Sequence, residues 1–179
     1  MSEFLYFAYG SNMLTARLAA RCPSARVVGA AHAPGFGLAF AKRGMDLSGK
    51  ATLVPQTAQS QPGVVFAIKN EERLFLDQAE GPGYHRHDDF KVMLAGSDDE
   101  LTCSTYIARD ILPGLVPFDW YVALIMAGAL EHGLPAALIE NLRQVRHCPD
   151  METQRPGQRA ALNALRQSGY ISVASVLSH

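Results

Sequence analysis

Leu5-Tyr6-Phe7-Ala8-Tyr9-Gly10-Ser11-Asn12-Met13 is the stretch on which the reading of this chain turns. An apolar, aromatic run stops at Tyr9, gives way to Gly-Ser-Asn, and is followed by a helix-like segment over residues 14–21. The pattern predicts a buried strand, a tight turn and a helix. Gly10 permits either a positive φ or a close approach of a ligand to the backbone. Ser11 or Asn12 is placed to cap the helix. A turn of this kind leaves backbone N–H groups without partners inside the protein, ready for a carboxylate or an oxyanion.

Working outward, strands are predicted over residues 3–9, 27–33, 37–41, 50–54, 63–68, 89–95 and 101–107, several of them rich in β-branched and aromatic residues. Phe90, Val92 and Leu94 alternate with Lys91 and Met93, as in an antiparallel strand with one buried face. Residues 44–48 and 56–62 read as polar connections bearing Gly or Pro, and 45–50 as nothing beyond a polar loop. A helix is predicted over 71–79, capped by Asn70, with Glu71 and Glu72 suiting the dipole of its first turn. From Phe118 the period changes: Phe118, Tyr121, Val122, Ile125, Met126 and Ala129 form one apolar face of a helix that Gly133 stops. Pro135 opens the next, with Leu138, Ile139, Leu142 and Val145 on its face, and a last weakly amphipathic helix covers 157–168. Seven short strands, interrupted and followed by helices, predict an α+β fold: a small mixed sheet closing toward a barrel, with helices packed around it. At 179 residues the expectation is one domain over 1–179.

Composition excludes more than it identifies. A net charge of −1 with 18% charged residues and no basic run argues against nucleic-acid and membrane-surface partners. Cys22, Cys103 and Cys148 are widely spaced with no C-x-x-C pair, which predicts reduced thiols in the cytoplasm. The first residues lack a basic n-region, and 5–9 is too short for a signal core or a membrane span. His85-Arg86-His87-Asp88-Asp89 attracts notice as a metal cluster, yet neighbours on a strand face opposite ways and the spacing fits no zinc site. Tyr-Gly-Ser-Asn is not the Gly-x-Ser-x-Gly elbow of serine hydrolases. Gly35-x-Gly37 lacks the third glycine of a dinucleotide loop. No metal or other cofactor is expected.

Residues 6–13 closely resemble the Tyr-Phe-Ala-Tyr-Gly-Ser-Asn-Leu signature of the γ-glutamylcyclotransferase family, with Met13 in place of the leucine. Further likenesses follow in order. Cys22-Pro23-Ser24-Ala25 is similar to the family's Pro-Ser-Ala step, and 49–53 and 63–68 to its two central strands. Leu76-Asp77-Gln78-Ala79-Glu80-Gly81 is similar to its Leu-Asp-x-x-Glu-Gly motif, with Tyr84 shortly after. Trp120-Tyr121 and the run to Gly133-Leu134-Pro135 resemble its tyrosine-bearing helix. The resemblance extends from residue 4 to about 146. It implies a small barrel with the strand-one loop at its mouth, and Glu80 as catalytic acid/base. The step from Glu80 to Tyr84 is shorter than in some relatives, which predicts a tighter loop.

Glu80 lies at the end of the predicted helix 71–79, where the dipole disfavours negative charge, and Phe75, Leu76 and Ala79 beside it are apolar. Burial and dipole together favour its neutral form. The reaction the resemblance implies is cyclisation of an L-γ-glutamyl amine or γ-glutamyl amino acid to 5-oxo-L-proline and the free amine. The substrate's own α-amino group is the nucleophile, so a small-molecule γ-glutamyl substrate is the only partner required, and the enzyme is expected as a monomer or homodimer. Tyr6, Phe7 and Ala8 would form a wall, Tyr9, Gly10, Ser11 and Asn12 a backbone cradle, and Tyr121 a hydroxyl contact. A module that binds a γ-glutamyl ligand without turnover is the alternative, and a glutamate at position 80 weighs against it. The leaving group is not legible in the sequence.

Overall fold

A computed structural model describes residues 2–97 and 99–179. Strand β1 (Glu3–Ala8) leads through a 3-10 turn (Ser11–Met13) into the short α1 (Thr15–Ala19). Two long strands follow, β2 (Arg26–Arg43) and β3 (Gly49–Lys69), then a 3-10 turn (Asn70–Glu72) running into α2 (Arg73–Glu80). Strands β4 (Tyr84–Leu94) and β5 (Glu100–Ala108) complete the sheet, and α3 (Asp119–Glu131), α4 (Ala136–Arg143), α5 (Pro156–Gln167) and α6 (Val173–Leu177) complete the chain. The strands close into a barrel in the order β1-β3-β2-β4-β5. All neighbours are antiparallel except β1 and β5, which meet in parallel at Tyr6 and Ser104. The predicted α+β class and mixed barrel are therefore what the chain adopts.

Several boundaries differ from expectation. Segments 27–33 and 37–41 are one strand, and so are 50–54 and 63–68. The predicted connection 56–62 lies inside β3: Ser60, Gln61 and Pro62 pair with Pro34, Ala33 and His32. Only four residues, 56–59, bulge out opposite Gly35. Exposed polar side chains and Pro62 disguise this stretch as a loop, because a ribbon open to water loses its alternation of apolar residues. Strand β4 begins at Tyr84, five residues earlier than predicted, for the same reason. Asn70 caps nothing; its amide donates to the Ser2 hydroxyl. Ser11 and Asn12 do not cap α1 either, since the 3-10 turn intervenes and Leu14 stands at the N-cap. The short α6, unforeseen, starts in a capping box between Ser172 and Ser175.

Helix α3 departs most from its expected form. It is buried on every side from Trp120 to Ala129 rather than along one stripe. The turn after β1 covers it from one direction, and α4, α5 and α6 cover the others. Fully enclosed Val122, Leu124, Ile125 and Met126 each contribute about 1.5–3 kcal/mol by leaving water. Gly128 makes the close packing possible. A Cβ there would lie 2.5 Å from the Leu14 nitrogen and 2.7 Å from the Met13 carbonyl carbon. Thus α3 presses directly on the turn that follows β1 and fixes that turn at the barrel mouth.

Candidate active site

Helix α2 ends at Glu80 because Gly81 takes φ +78°, a left-handed conformation that favours glycine, and returns its N–H to the Asp77 carbonyl at 3.0 Å. The helix touches the core through one buried residue, Leu76. Phe75 is 55% exposed, so it does not shelter Glu80 as the sequence suggested. Polar bonds dock the helix instead. Asp77 accepts from the Tyr106 hydroxyl at 2.7 Å and from Arg86 at 2.6 Å. Arg73 donates to Asp88 at 2.7 Å. Just before the helix, Glu72 accepts from the Ser24 hydroxyl at 2.7 Å.

So docked, α2 aims Glu80 at the turn after β1. Its Oε1 accepts from Asn12 Nδ2 at 2.7 Å and from Arg21 Nη1 at 3.2 Å. The same Arg21 nitrogen donates to Asn12 Oδ1 at 2.8 Å, and Asn12 Nδ2 also donates to the Tyr6 hydroxyl at 3.0 Å. Residues 6, 12, 21 and 80 thus form one hydrogen-bonded group around a carboxylate whose side chain is 15% exposed. Arg21 is the partner that the sequence reading missed. Its positive charge offsets the unfavourable helix C-terminus and accommodates a carboxylate. Its signal was present: Arg17 and Arg21 stand four apart just after the turn, on one side of a helical segment.

Behind Glu80 is a recess of about 30 Å³ lined by Gly10, Ser11, Asn12, Ala51 and five tyrosines, Tyr6, Tyr9, Tyr84, Tyr106 and Tyr121. Burial, above all else, pushes all five phenols up from their ordinary pKa, so they are neutral hydroxyls. Three of them are committed as donors: Tyr9 to the Tyr106 carbonyl, Tyr84 to the Ala51 carbonyl at 2.6 Å, and Tyr106 to Asp77. The other two are different. The Tyr6 oxygen accepts from Asn12, and the Tyr121 oxygen accepts from the Ala51 N–H at 3.1 Å. Neither O–H has an acceptor among the described residues, which leaves two donors free in the recess. The backbone N–H groups of Gly10, Ser11 and Asn12 likewise donate to nothing among the described residues.

Gly10 has φ −120° and ψ −144°, so the positive-φ alternative is excluded. Close approach is the reason for glycine here: a Cβ would lie 3.2 Å from that of Ala51 and 3.8 Å from the Tyr121 hydroxyl. Phe7 and Ala8 line neither the recess nor the cavity in front of it. Phe7 points the opposite way along the strand from Tyr6 and stacks on Phe90 at 6.1 Å, and Ala8, fully buried, ends at its Cβ.

The recess adjoins a cavity of about 460 Å³, with Ser11, Glu80, Tyr84 and Tyr121 in both walls. The β2–β3 turn read as an indifferent polar loop is part of that wall, through Met45, Asp46 and Lys50. Lys50 is fixed there by Asp46 at 2.7 Å, with its ammonium 4.7 Å from the ring centres of Trp120 and Tyr121. Burial pushes the Cys22 thiol up to about 11, so it presents no thiolate. Among the described residues no group of three or more His, Cys, Asp or Glu is placed to hold a metal ion.

A barrel whose mouth gathers a carboxylate, a bare backbone turn and free phenols around a small polar recess offers both donors and acceptors to a small polar molecule. The likenesses to known proteins agree with that shape. A model of the AIG2-like family matches residues 62–142. Over 149 residues the chain is 32% identical to human (Homo sapiens) γ-glutamylcyclotransferase, covering 80% of this chain and 79% of that one. Against the Mus musculus protein of the same name it is 33% identical, covering 79% and 78%. A solved γ-glutamyl cyclotransferase structure superposes with a TM-score of 0.80 at 28% identity, over 92% of this chain and 99% of that one. The chain belongs to the γ-glutamylcyclotransferase family.

Proposed function

We propose that this chain is a γ-glutamylcyclotransferase that converts an L-γ-glutamyl amine or amino acid to 5-oxo-L-proline and the free amine. The observation that carries the reading is the placement of Glu80 at 2.7 Å from Asn12, beside a turn with unspent N–H groups and two unspent tyrosine hydroxyls. The recess has the volume of one or two oxygen-sized groups. It therefore suits one polar tip of the substrate, the γ-carbonyl oxygen, while the rest of the molecule fills the larger cavity. The Tyr6 and Tyr121 hydroxyls take that oxygen as it becomes an oxyanion. The free N–H groups of residues 10–12, which line the same recess, add donors for that oxygen, so that the glutamyl chain in the larger cavity is folded toward attack.

Glu80 moves the protons. Between ammonium and lactam the glutamyl nitrogen sheds two protons, and the departing nitrogen gains two. A carboxylate that takes each proton and returns it keeps the count balanced through both events. Because the nucleophile is tethered to the substrate, the chemistry calls for no metal, nucleotide or enzyme-bound acyl group. Three free thiols suit a cytoplasmic setting.

The test is mass-spectrometric detection of 5-oxoproline from a panel of γ-glutamyl compounds, with and without a chelator. Release that persists in chelator is expected. Absence of release from every compound overturns the reading, and activity restored by one specific metal overturns its metal-free chemistry.

A further inference from the structure

The walls of the larger cavity carry more positive charge than the protein uses. Lys50 is paired with Asp46, Arg155 with Asp150 at 2.8 Å, and Arg21 with Glu80. Two cations remain. Arg17 touches only the Ser11 hydroxyl, at 3.4 Å, and Lys42 has no hydrogen bond or ion pair among the described residues. Lys42 lies against Gly83, in the loop that follows Glu80, with its ammonium 4.9 Å from the centre of the Tyr84 ring. Burial and then the neighbouring Arg21 pull Arg17 down to about 10, so it is still charged at neutral pH. Burial also lowers Lys42. Holding two partly dehydrated cations with no direct ion pair, only the more distant charge of Glu80 and, for Lys42, of Asp46, is costly, and a protein of net charge −1 has no general surplus to explain them.

We infer that Arg17 and Lys42 form a subsite for a negatively charged leaving group, so that the best substrates are γ-glutamyl conjugates whose departing amine is an acidic amino acid. The inference rests on the proposed cyclotransferase reading. A γ-glutamyl group brings one carboxylate and one ammonium and is neutral as a whole, so it leaves both cations unanswered. An alkylamine leaving group answers neither. A neutral amino acid answers one through its α-carboxylate, and glutamate answers both. Arg17 and Lys42 flank Glu80, the residue from which the departing nitrogen takes its proton, and both line the cavity that receives the rest of that group.

The experiment compares kcat/KM for L-γ-glutamyl-L-glutamate, L-γ-glutamyl-L-alanine and L-γ-glutamyl-butylamide. The expected order is glutamate, alanine, butylamide, with about tenfold lost per carboxylate removed, the size of one hydrogen bond to a charged group. Lys42→Met keeps the stem and removes the charge, and should shrink the glutamate-to-butylamide ratio about tenfold. Arg17→Gln should do the same, and because Arg17 is the more enclosed, Lys42→Met is the decisive variant. Raising NaCl from 0.05 to 0.5 M should also compress the ratio (~10 Å screening at 0.1 M, shorter above it). Turnover of all three substrates with a flat or reversed order, or an unchanged ratio in Lys42→Met, overturns the subsite and leaves the cyclotransferase reading standing. No 5-oxoproline from any of the three removes that reading, and the subsite with it.

Discussion

Helices α2 and α3 each deliver one side chain to the same recess, and they are held by opposite means. Tyr121 rides on α3, sealed on all sides by apolar packing and by the backbone contact at Gly128. Glu80 rides on α2, which buries Leu76 and otherwise docks through Asp77, Arg73 and the acid just ahead of it. Apolar packing resists displacement in every direction, whereas a few charged contacts leave a helix room to shift by fractions of an ångström. Under the proposed mechanism, this arrangement fixes the oxyanion donor and leaves adjustable the carboxylate that follows a proton from one nitrogen to another.

The strongest test of that division is Glu80→Gln. It keeps shape and removes the proton acceptor, and turnover should fall by roughly 10²–10⁴-fold. Because α2 is docked by other residues, the urea midpoint should barely move. A variant with near-wild-type turnover would strip Glu80 of its role.

Gly128→Ala asks the converse question of α3. Its Cβ would meet main-chain atoms of Met13 and Leu14 that have nowhere to go. A loss of about 3 kcal/mol, the upper range for overpacking, is expected in denaturant titration. Wild-type stability would show that α3 is not the rigid partner described above.

Asp77→Asn sharpens the contrast. It weakens the bonds to Arg86 and Tyr106 while leaving Glu80 and its bonds to Asn12 and Arg21 in place. We expect kcat to fall about tenfold with little change in KM, and stability to fall by about 1 kcal/mol, the usual worth of one such bond. A stability loss as large as that of Gly128→Ala would erase the difference between the helices.

The smallest effect concerns acid. Burial pushes Asp88 up, but its bonds to the Ser104 hydroxyl and Arg86, with Arg73 nearby, outweigh that and hold it below the usual aspartate value. A carboxyl group whose pKa is lower when folded contributes stability above its unfolded value, about 3.9, and loses it as pH falls through the folded value. Arg73 belongs to α2, so acid should loosen that dock first. Hydrogen exchange between pH 5 and 3 should show amides of α2 losing protection while those of α3 keep it. Parallel loss in both helices would argue against separate docking.

Sequence patterns reported what apolar packing or glycine determines, and were silent where polar side chains act at a distance. The β1 strand and its Gly10 turn, the stop of α2 at Gly81 and the glutamate before it were legible because each obeys a local rule. The β2–β3 ribbon was not, since residues 60–62 pair where the ribbon opens to water and 56–59 bulge from it, so the stretch lacks the apolar alternation that reveals a strand. Full enclosure of α3 was read as a single apolar stripe, because its alanines and Gly128 are quiet in any hydrophobic count. Among the site residues, the expected carboxylate, turn and tyrosine come together. The four-residue spacing of Arg17 and Arg21 is a signal for two of the cations at the site, whereas Lys42, a lone basic residue on a strand, looks the same whether it faces water or a cavity.

Closure of the barrel by a parallel pair between its first and last strands has a consequence during synthesis. Tyr6 must wait for Ser104 before the ring is complete. At ~5–20 residues per second the ribosome takes roughly 5–20 s to bridge that gap. Through that interval Phe4, Tyr6, Phe7 and Tyr9, all destined for the interior, belong to a nascent segment with an unpaired edge. The stretch that carries the turn at the heart of the site is thus also the one whose second edge stays open longest while the rest of the chain is made.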